Sequence, residues 1–188
     1  MENRVMERAG VRRYLLRGSL AALLFFLLQA YAFRLVIVPS WSMAPTLRPG
    51  DVVLVDRLTY EFGSPKRGDM VEFHFRQADD RTFLKRVIGV PGDTIVERDG
   101  RLWVNGAPLA WPTGEAQIAA EAGQSVPPVR VPAGHYFVLG DNLASSLDSR
   151  FWGSVDLHEV VGKALLICWS DGARWWDVRW DRIGRWLR

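Results

Sequence analysis

The chain has 188 residues and a formal charge of +3, which leaves room for one ordinary domain plus a tail or an anchor and excludes a multi-domain protein. Cys168 is the only cysteine and His74, His135 and His158 lack zinc-site spacing, so no intrachain disulfide can form and neither a metal nor a cofactor is expected. The basic balance suits an anionic membrane or a nucleic acid, and composition alone does not separate them.

The first element is a basic head, residues 1–17, with Arg4, Arg8, Arg12, Arg13 and Arg17 against Glu2 and Glu7. Residues 18–33, "GSLAALLFFLLQAYAF", follow without a charge and make about 24 Å of helix. Apolar flanks at Leu15-Leu16 and 35–38 bring the segment close to a ~30 Å hydrocarbon core. The expectation is a single transmembrane anchor over 18–38, with the head kept in the cytoplasm by the positive-inside rule. "RRYLLR" and Ala30-Tyr31-Ala32 also fit an export signal cleaved after Ala32, although the apolar "FRLVIVP" that follows favours the anchor. Both readings export the rest of the chain.

From Asp51 onward, short runs rich in branched and aromatic residues ("DVVLVD", "MVEFHF", "FLKRVIGV", "TIVERD", "RLWVNG", "HYFVLG", "VVGKALLICW") alternate with turn signals such as "PKRGD", "PGD", "NG" and "PAG". Val71, Phe73 and Phe75 keep a period of two. The pattern predicts a mainly β domain over 39–172, a folded sandwich or distorted barrel of short strands, with 111–128 as a surface excursion. In the tail, 173–188, Trp176, Trp180, Ile183 and Leu187 fall at near-helical spacing among arginines. That fits an amphipathic helix lying on a membrane and, equally, a terminal segment packed on the domain.

Between anchor and domain stands "PSWSMAPTLRPGD", residues 39–51, with Ser40 and Ser42 one residue apart. Serines among prolines and glycine are usually turn formers. A catalytic serine needs a base, and no histidine has a recognisable setting, which leaves a neutral lysine. Of three lysines, Lys66 sits in a turn, Lys163 follows a glycine in a strand-like run, and Lys85 lies inside an apolar strand where desolvation would depress its pKa. On composition alone, Lys85 beside Arg86 would point to solvent.

Taken together, "PSWSMAPTLRPGD", "PKRGDMVEF", "FLKRVIGVPGD" and "GDNLASSLDSRFWG" resemble, in order and spacing, the conserved boxes of bacterial type I signal peptidases, of the signal peptidase/LexA-like fold. The resemblance implies Ser42 as nucleophile, Lys85 as general base and Ser40 as an oxyanion-hole hydroxyl. It further implies Ser146 as the group that orients the lysine, with Asp148 and Arg150 as a supporting ion pair and Ser145 and Ser149 as bystanders. Val36, Val38, Pro39, Met43, Leu47, Phe83 and Leu84 match positions that line pockets for small residues at the first and third positions before the cut; for Leu47 and Val36 an ordinary core role is equally expected. Trp41 stands where the family often has glycine, so either its side chain points away from the substrate path or the turn is altered. The implied protein is a monomer in the bacterial cytoplasmic membrane with its catalytic domain outside, acting on secreted preproteins and touching phospholipid, with no nucleic-acid partner. A self-cleaving LexA-type repressor would need a DNA-binding head where this chain has an apolar segment, and a penicillin-binding enzyme would need a lysine three residues after its serine. A pilin peptidase of the same clan and an inactive anchored β domain are the remaining alternatives.

Overall fold

The computed structural model describes residues 17–23, 29–75, 81–111, 114–115, 128–172 and 177–187. Most of the basic head, residues 24–28 of the apolar segment, most of the expected excursion and residues 173–176 of the tail lie outside these. Residues 17–23 and 29–32 are helical. Among the described residues no helix is long and apolar enough to cross a membrane.

The strands are β1 (Phe33–Ile37), β2 (Asp51–Asp56), β3 (Met70–Phe75), β4 (Arg81–Gly89), β5 (Thr94–Arg98), β6 (Arg101–Val104), β7 (Ala107–Pro108), β8 (Ala110–Trp111), β9 (Gly114–Glu115), β10 (Val129–Arg130), β11 (His135–Leu139), β12 (Val155–Asp156) and β13 (Val160–Ser170). An antiparallel seven-stranded sheet runs β1-β2-β13-β3-β4-β11-β12, and a smaller one runs β10-β5-β6-β7. The mainly β expectation therefore holds, with antiparallel sheets throughout. Strand β13 is long and carries register shifts against both neighbours, and such bulges bend a strand and sharpen its twist. At one of them a Cβ on Gly162 would lie 2.4 Å from the Asp56 carbonyl oxygen, so only glycine lets β13 approach β2 there. The resulting curl brings β1 opposite β4, four strands away in the sheet, and leaves a groove between them.

Three apolar clusters fill the domain. Val38, Val53, Val55, Met70, Ala164 and Ile167 pack inside the curl. Val71, Phe73 and Phe75 alternate toward its other face, where they meet Val87, Tyr136 and Val138, as the period of two predicts. The third cluster, with Ile88, Ile95, Leu102 and Phe137, joins the small sheet to the large one.

Two boundaries fall elsewhere than the sequence pattern suggests. The apolar run 33–38 reads as a continuation of the anchor, but Phe33–Ile37 pairs along its length with β2, and backbone groups bonded in a ladder belong to the sheet. Trp111 is buried and donates its indole N–H to the Asp141 carbonyl, so the excursion begins after it. The tail makes no continuous helix among its described residues. It forms isolated bridges, Asp171 to Val178 and Leu166 to Trp186, with Leu187 buried inside the curl. Of the two readings of the tail, packing on the domain is the one these residues follow.

Candidate active site

The turn after β1 is made by its own residues. Pro39 ends the strand, a helical turn covers Trp41–Met43, and Met43 and Leu47 are buried beneath it, which pins a segment otherwise free to move. Ser42 is consequently held at the end of the groove. Trp41 points outward, 57% exposed, and is absent from the groove lining, as its bulk requires.

Lys85 reaches the same place from β4. It pairs in register with Val71 and shares a face with Phe83, so the apolar alternation of β3 and β4 turns the lysine inward rather than to solvent. Phe83 stacks on Phe73 and meets Trp152 from the short helix Ser149–Trp152, and the Phe83 ring centroid lies 5.9 Å from the lysine Nζ. Lys85 is 2% exposed, and its Nζ donates to the Ser42 Oγ over 2.7 Å. Burial pushes the Lys85 pKa down to about 8; the charges of Asp148 and Asp141 pull it back up and that of Arg150 lowers it further. A lysine so placed is neutral often enough near neutral pH to accept a proton.

The Ser40 hydroxyl donates to the Ser42 Oγ over 3.2 Å. Asp148 and Arg150 form a buried bidentate pair, Nε to Oδ1 at 2.8 Å and Nη2 to Oδ2 at 3.0 Å, and Asp148 also accepts the Gly140 N–H. Arg150 in turn holds the carbonyls of Leu143 and Ser146, which fixes the loop over the lysine. The Ser146 hydroxyl is buried but has no hydrogen-bond partner, so the orienting contact to Lys85 expected of it is not formed. Ser149 accepts the Val138 N–H and serves the backbone. Gly140 is required by a close approach, since a Cβ there would sit 2.4 Å from the Ser42 carbonyl oxygen and 2.2 Å from the Ser146 Oγ.

The groove, about 590 Å³, is lined by Val36, Val38, Pro39, Met43, Phe83 and Leu84, with Ser40, Ser42 and Lys85 at one end and Arg34, Arg81 and Thr82 at the other. Six of the seven expected pocket residues are therefore brought together there. Leu47 is the exception: it is fully buried in the core beneath the turn and supports the lining without touching the groove.

Sequence reasoning missed one layer. Arg86 forms a buried bidentate pair with Asp141, Nε to Oδ1 at 2.8 Å and Nη2 to Oδ2 at 2.7 Å, and Thr46 donates to the same carboxylate. Asn142 then donates its backbone N–H to the Ser42 carbonyl and its amide to that of Trp41. These contacts tie β4, the "GDN" loop and the Ser42 turn into one unit. A signal was present in Arg86, charged yet inside the apolar run of β4, and in Asp141, just after the apolar β11, since a buried charge needs a partner.

The sequence is similar to known peptidases over most of its length. Residues 11–169 match the family model described as signal peptidase, peptidase S26. The signal peptidase I of Leptolyngbya laminosa is 39% identical over 139 residues, covering 70% of this chain and 66% of that protein. That of Bacillus caldolyticus is 36% identical, covering 76% and 82%, and that of Mycobacterium tuberculosis is 32% identical, covering 95% and 79%. A crystal structure of a signal peptidase I from Enterococcus faecalis is 31% identical and covers 53% of this chain and 96% of that one, with a TM-score of 0.43. The chain belongs to the signal peptidase family, peptidase S26, and with it to the serine endopeptidases.

Proposed function

We propose that the chain is a membrane-anchored signal peptidase I that removes signal peptides from exported preproteins through a Ser42–Lys85 dyad. The observation that carries this reading is the 2.7 Å contact between a buried lysine and an accessible serine at the end of an apolar groove. Along that line the Ser42 hydroxyl proton passes to the neutral Lys85 amine as Oγ attacks the scissile carbonyl. The oxyanion that forms is met by the Ser40 hydroxyl and the Ser42 backbone N–H. Lys85 then returns the proton to the leaving amine, the acyl group stays on Ser42, and a water activated by Lys85 releases it. Ser146, with an unspent hydroxyl buried beside Gly140, is available to the amine once it has lost its proton. The preprotein lies extended between β1 and β4, adding to the free edge of β1, and the shallow apolar floor admits small side chains at the first and third positions before the cut.

The apolar segment from residue 18 serves as the single-pass anchor, with the basic head in the cytoplasm and the β domain outside the bacterial inner membrane. An apolar outer face supports this placement. Ile37, Val52 and Trp169 lie side by side across β1, β2 and β13, as do Leu35, Leu54 and Leu166 one step along, and Trp186 bridges to Leu166. Leu35, Ile37, Trp180 and Trp186 are exposed, and tryptophans with aliphatic neighbours suit the lipid interface. The face continues directly from the anchor, so membrane and substrate meet the groove together.

The reading is tested with the full chain in detergent and a purified preprotein. Mass spectrometry of the products is expected to find one cut, after small residues at the first and third positions. Cuts scattered along the preprotein, or none, would contradict it.

A further inference from the structure

We infer that Arg34, braced from below by Glu72, is a specificity-determining residue that makes the outer end of the groove a polar subsite for a carboxylate- or amide-bearing side chain at the fifth substrate residue before the cut. The inference rests on the reading of the groove as the peptide channel. Glu72 stands on β3 opposite Leu84, inside an otherwise apolar curl with Met70 and Val55, and is wholly buried. Neither of its carboxylate oxygens has a hydrogen-bond partner, and the Arg34 Nη1 approaches Oε1 at 3.4 Å from the far wall. A buried carboxylate without donors destabilises a fold, and an apolar side chain would serve the core better. Its position under Arg34 gives it a use. The Arg34 guanidinium, 43% exposed, lines the groove and among the described residues makes that one ion pair and no hydrogen bond, which leaves most of its five N–H donors open to a ligand.

The register assigns the substrate position. On β1, residues 34, 36 and 38 point to one side, at steps of roughly 6.6 Å per two residues. A peptide extended along β1 with its reacting carbonyl at Ser42 alternates in the same steps. Its first position before the cut then lies by Val38, its third by Val36 and its fifth by Arg34, roughly 13 Å from the first. Arg81 lines the same end, which adds positive potential and disfavours a lysine there. The carboxylate beneath Arg34 offsets part of its charge, so neutral amides are accepted as well as acids.

Four peptides, identical except for Glu, Gln, Leu or Lys at the fifth position before the cut, would be assayed for kcat/KM with the full chain in detergent. The parent is expected to favour Glu over Lys by roughly three- to tenfold, with Gln between. Arg34→Met should bring that ratio near one. Glu72→Gln should raise it above the parent's, because the guanidinium then faces the groove with its charge no longer offset; a residue that only held the fold would not move the two substrates apart. Equal parent rates for Glu and Lys overturn the proposal without any variant, as does an Arg34→Met ratio equal to the parent's, and a Glu72→Gln ratio no higher than the parent's overturns the bracing. A parent that cleaves none of the four contradicts the peptidase reading and this subsite with it, whereas one that cleaves all four equally contradicts the subsite alone.

Discussion

Replacing Lys85 by methionine is expected to lower kcat/KM for a preprotein by a factor on the order of 10⁴ or more, while the Tm at pH 7 stays no lower than the parent's. The first part follows from geometry. No other base stands at Ser42 among the described residues: its hydroxyl has hydrogen bonds only from Lys85 and Ser40, and a hydroxyl cannot hold the proton. The second part follows from linkage. A folded-state pKa of about 8 against an ordinary 10.5 means that the fold disfavours the ammonium. The charge therefore destabilises the protein below pH 8, and the penalty fades as pH rises toward the unfolded value. At pH 7 it is on the order of 3 kcal/mol, and an apolar side chain of similar length removes it. Activity lost with stability kept separates a catalytic lysine from a structural one. Rates and melting curves on the same preparation check both, and a variant that retains cleavage would contradict the assignment of the base.

Replacing Arg182 by alanine is expected to destabilise the domain by about 3–5 kcal/mol, a fall in Tm of roughly 10 °C for a chain of this size. Arg182 is 2% exposed in the C-terminal segment and meets the wholly buried Asp51 through Nε at 3.1 Å and through Nη2. The same carboxylate accepts the Ser170 hydroxyl and the Arg48 N–H. Arg182 also donates to the Thr46 carbonyl and Arg179 to that of Pro49. The tail is thus tied to the segment just after Ser42, and removing the guanidinium leaves a carboxylate in the core with two of its four hydrogen bonds and only the longer ion pair to Arg179, at 3.5 Å. Asp51→Asn combined with Arg182→Met should recover part of the loss, since an uncharged pair of similar volume no longer strands a charge. Thermal melts read the difference, and a single variant within a degree or two of the parent would contradict the role of the tail as a clamp.

The fold was legible where a side-chain period repeated. Val71, Phe73 and Phe75 announce a strand with a buried face, and that face is buried; the opposite one, with Met70 and Glu72, is buried as well, which the period of two does not foretell. Legibility failed where one apolar run served two environments. Residues 33–38 continue the hydropathy of the preceding segment, and only their pairing with β2 separates strand from helix. Trp111 reads as the start of a loop because its partner, the Asp141 carbonyl, is 30 residues away.

The site was legible through its ordered motifs rather than through the residues singly. Lys85 alone reads as a solvent-facing strand lysine; its register with Val71, invisible locally, turns it inward. Leu47 reads equally as pocket or core, and packing behind the turn decides for core. Arg182 is one arginine among several in the tail, and what singles it out is a carboxylate 131 positions earlier. Glu72 was passed over because an acidic residue in a β pattern normally faces water.

The pH dependence of kcat/KM for preprotein cleavage tests most directly whether Lys85 serves Ser42 as a neutral base. Since the protonated amine cannot accept the serine proton, the rate should be low in acid, rise through an apparent pKa of about 8 and level off above it. A profile flat between about pH 6 and 10, or one that rises near ~6.5 as a histidine would dictate, would contradict the dyad.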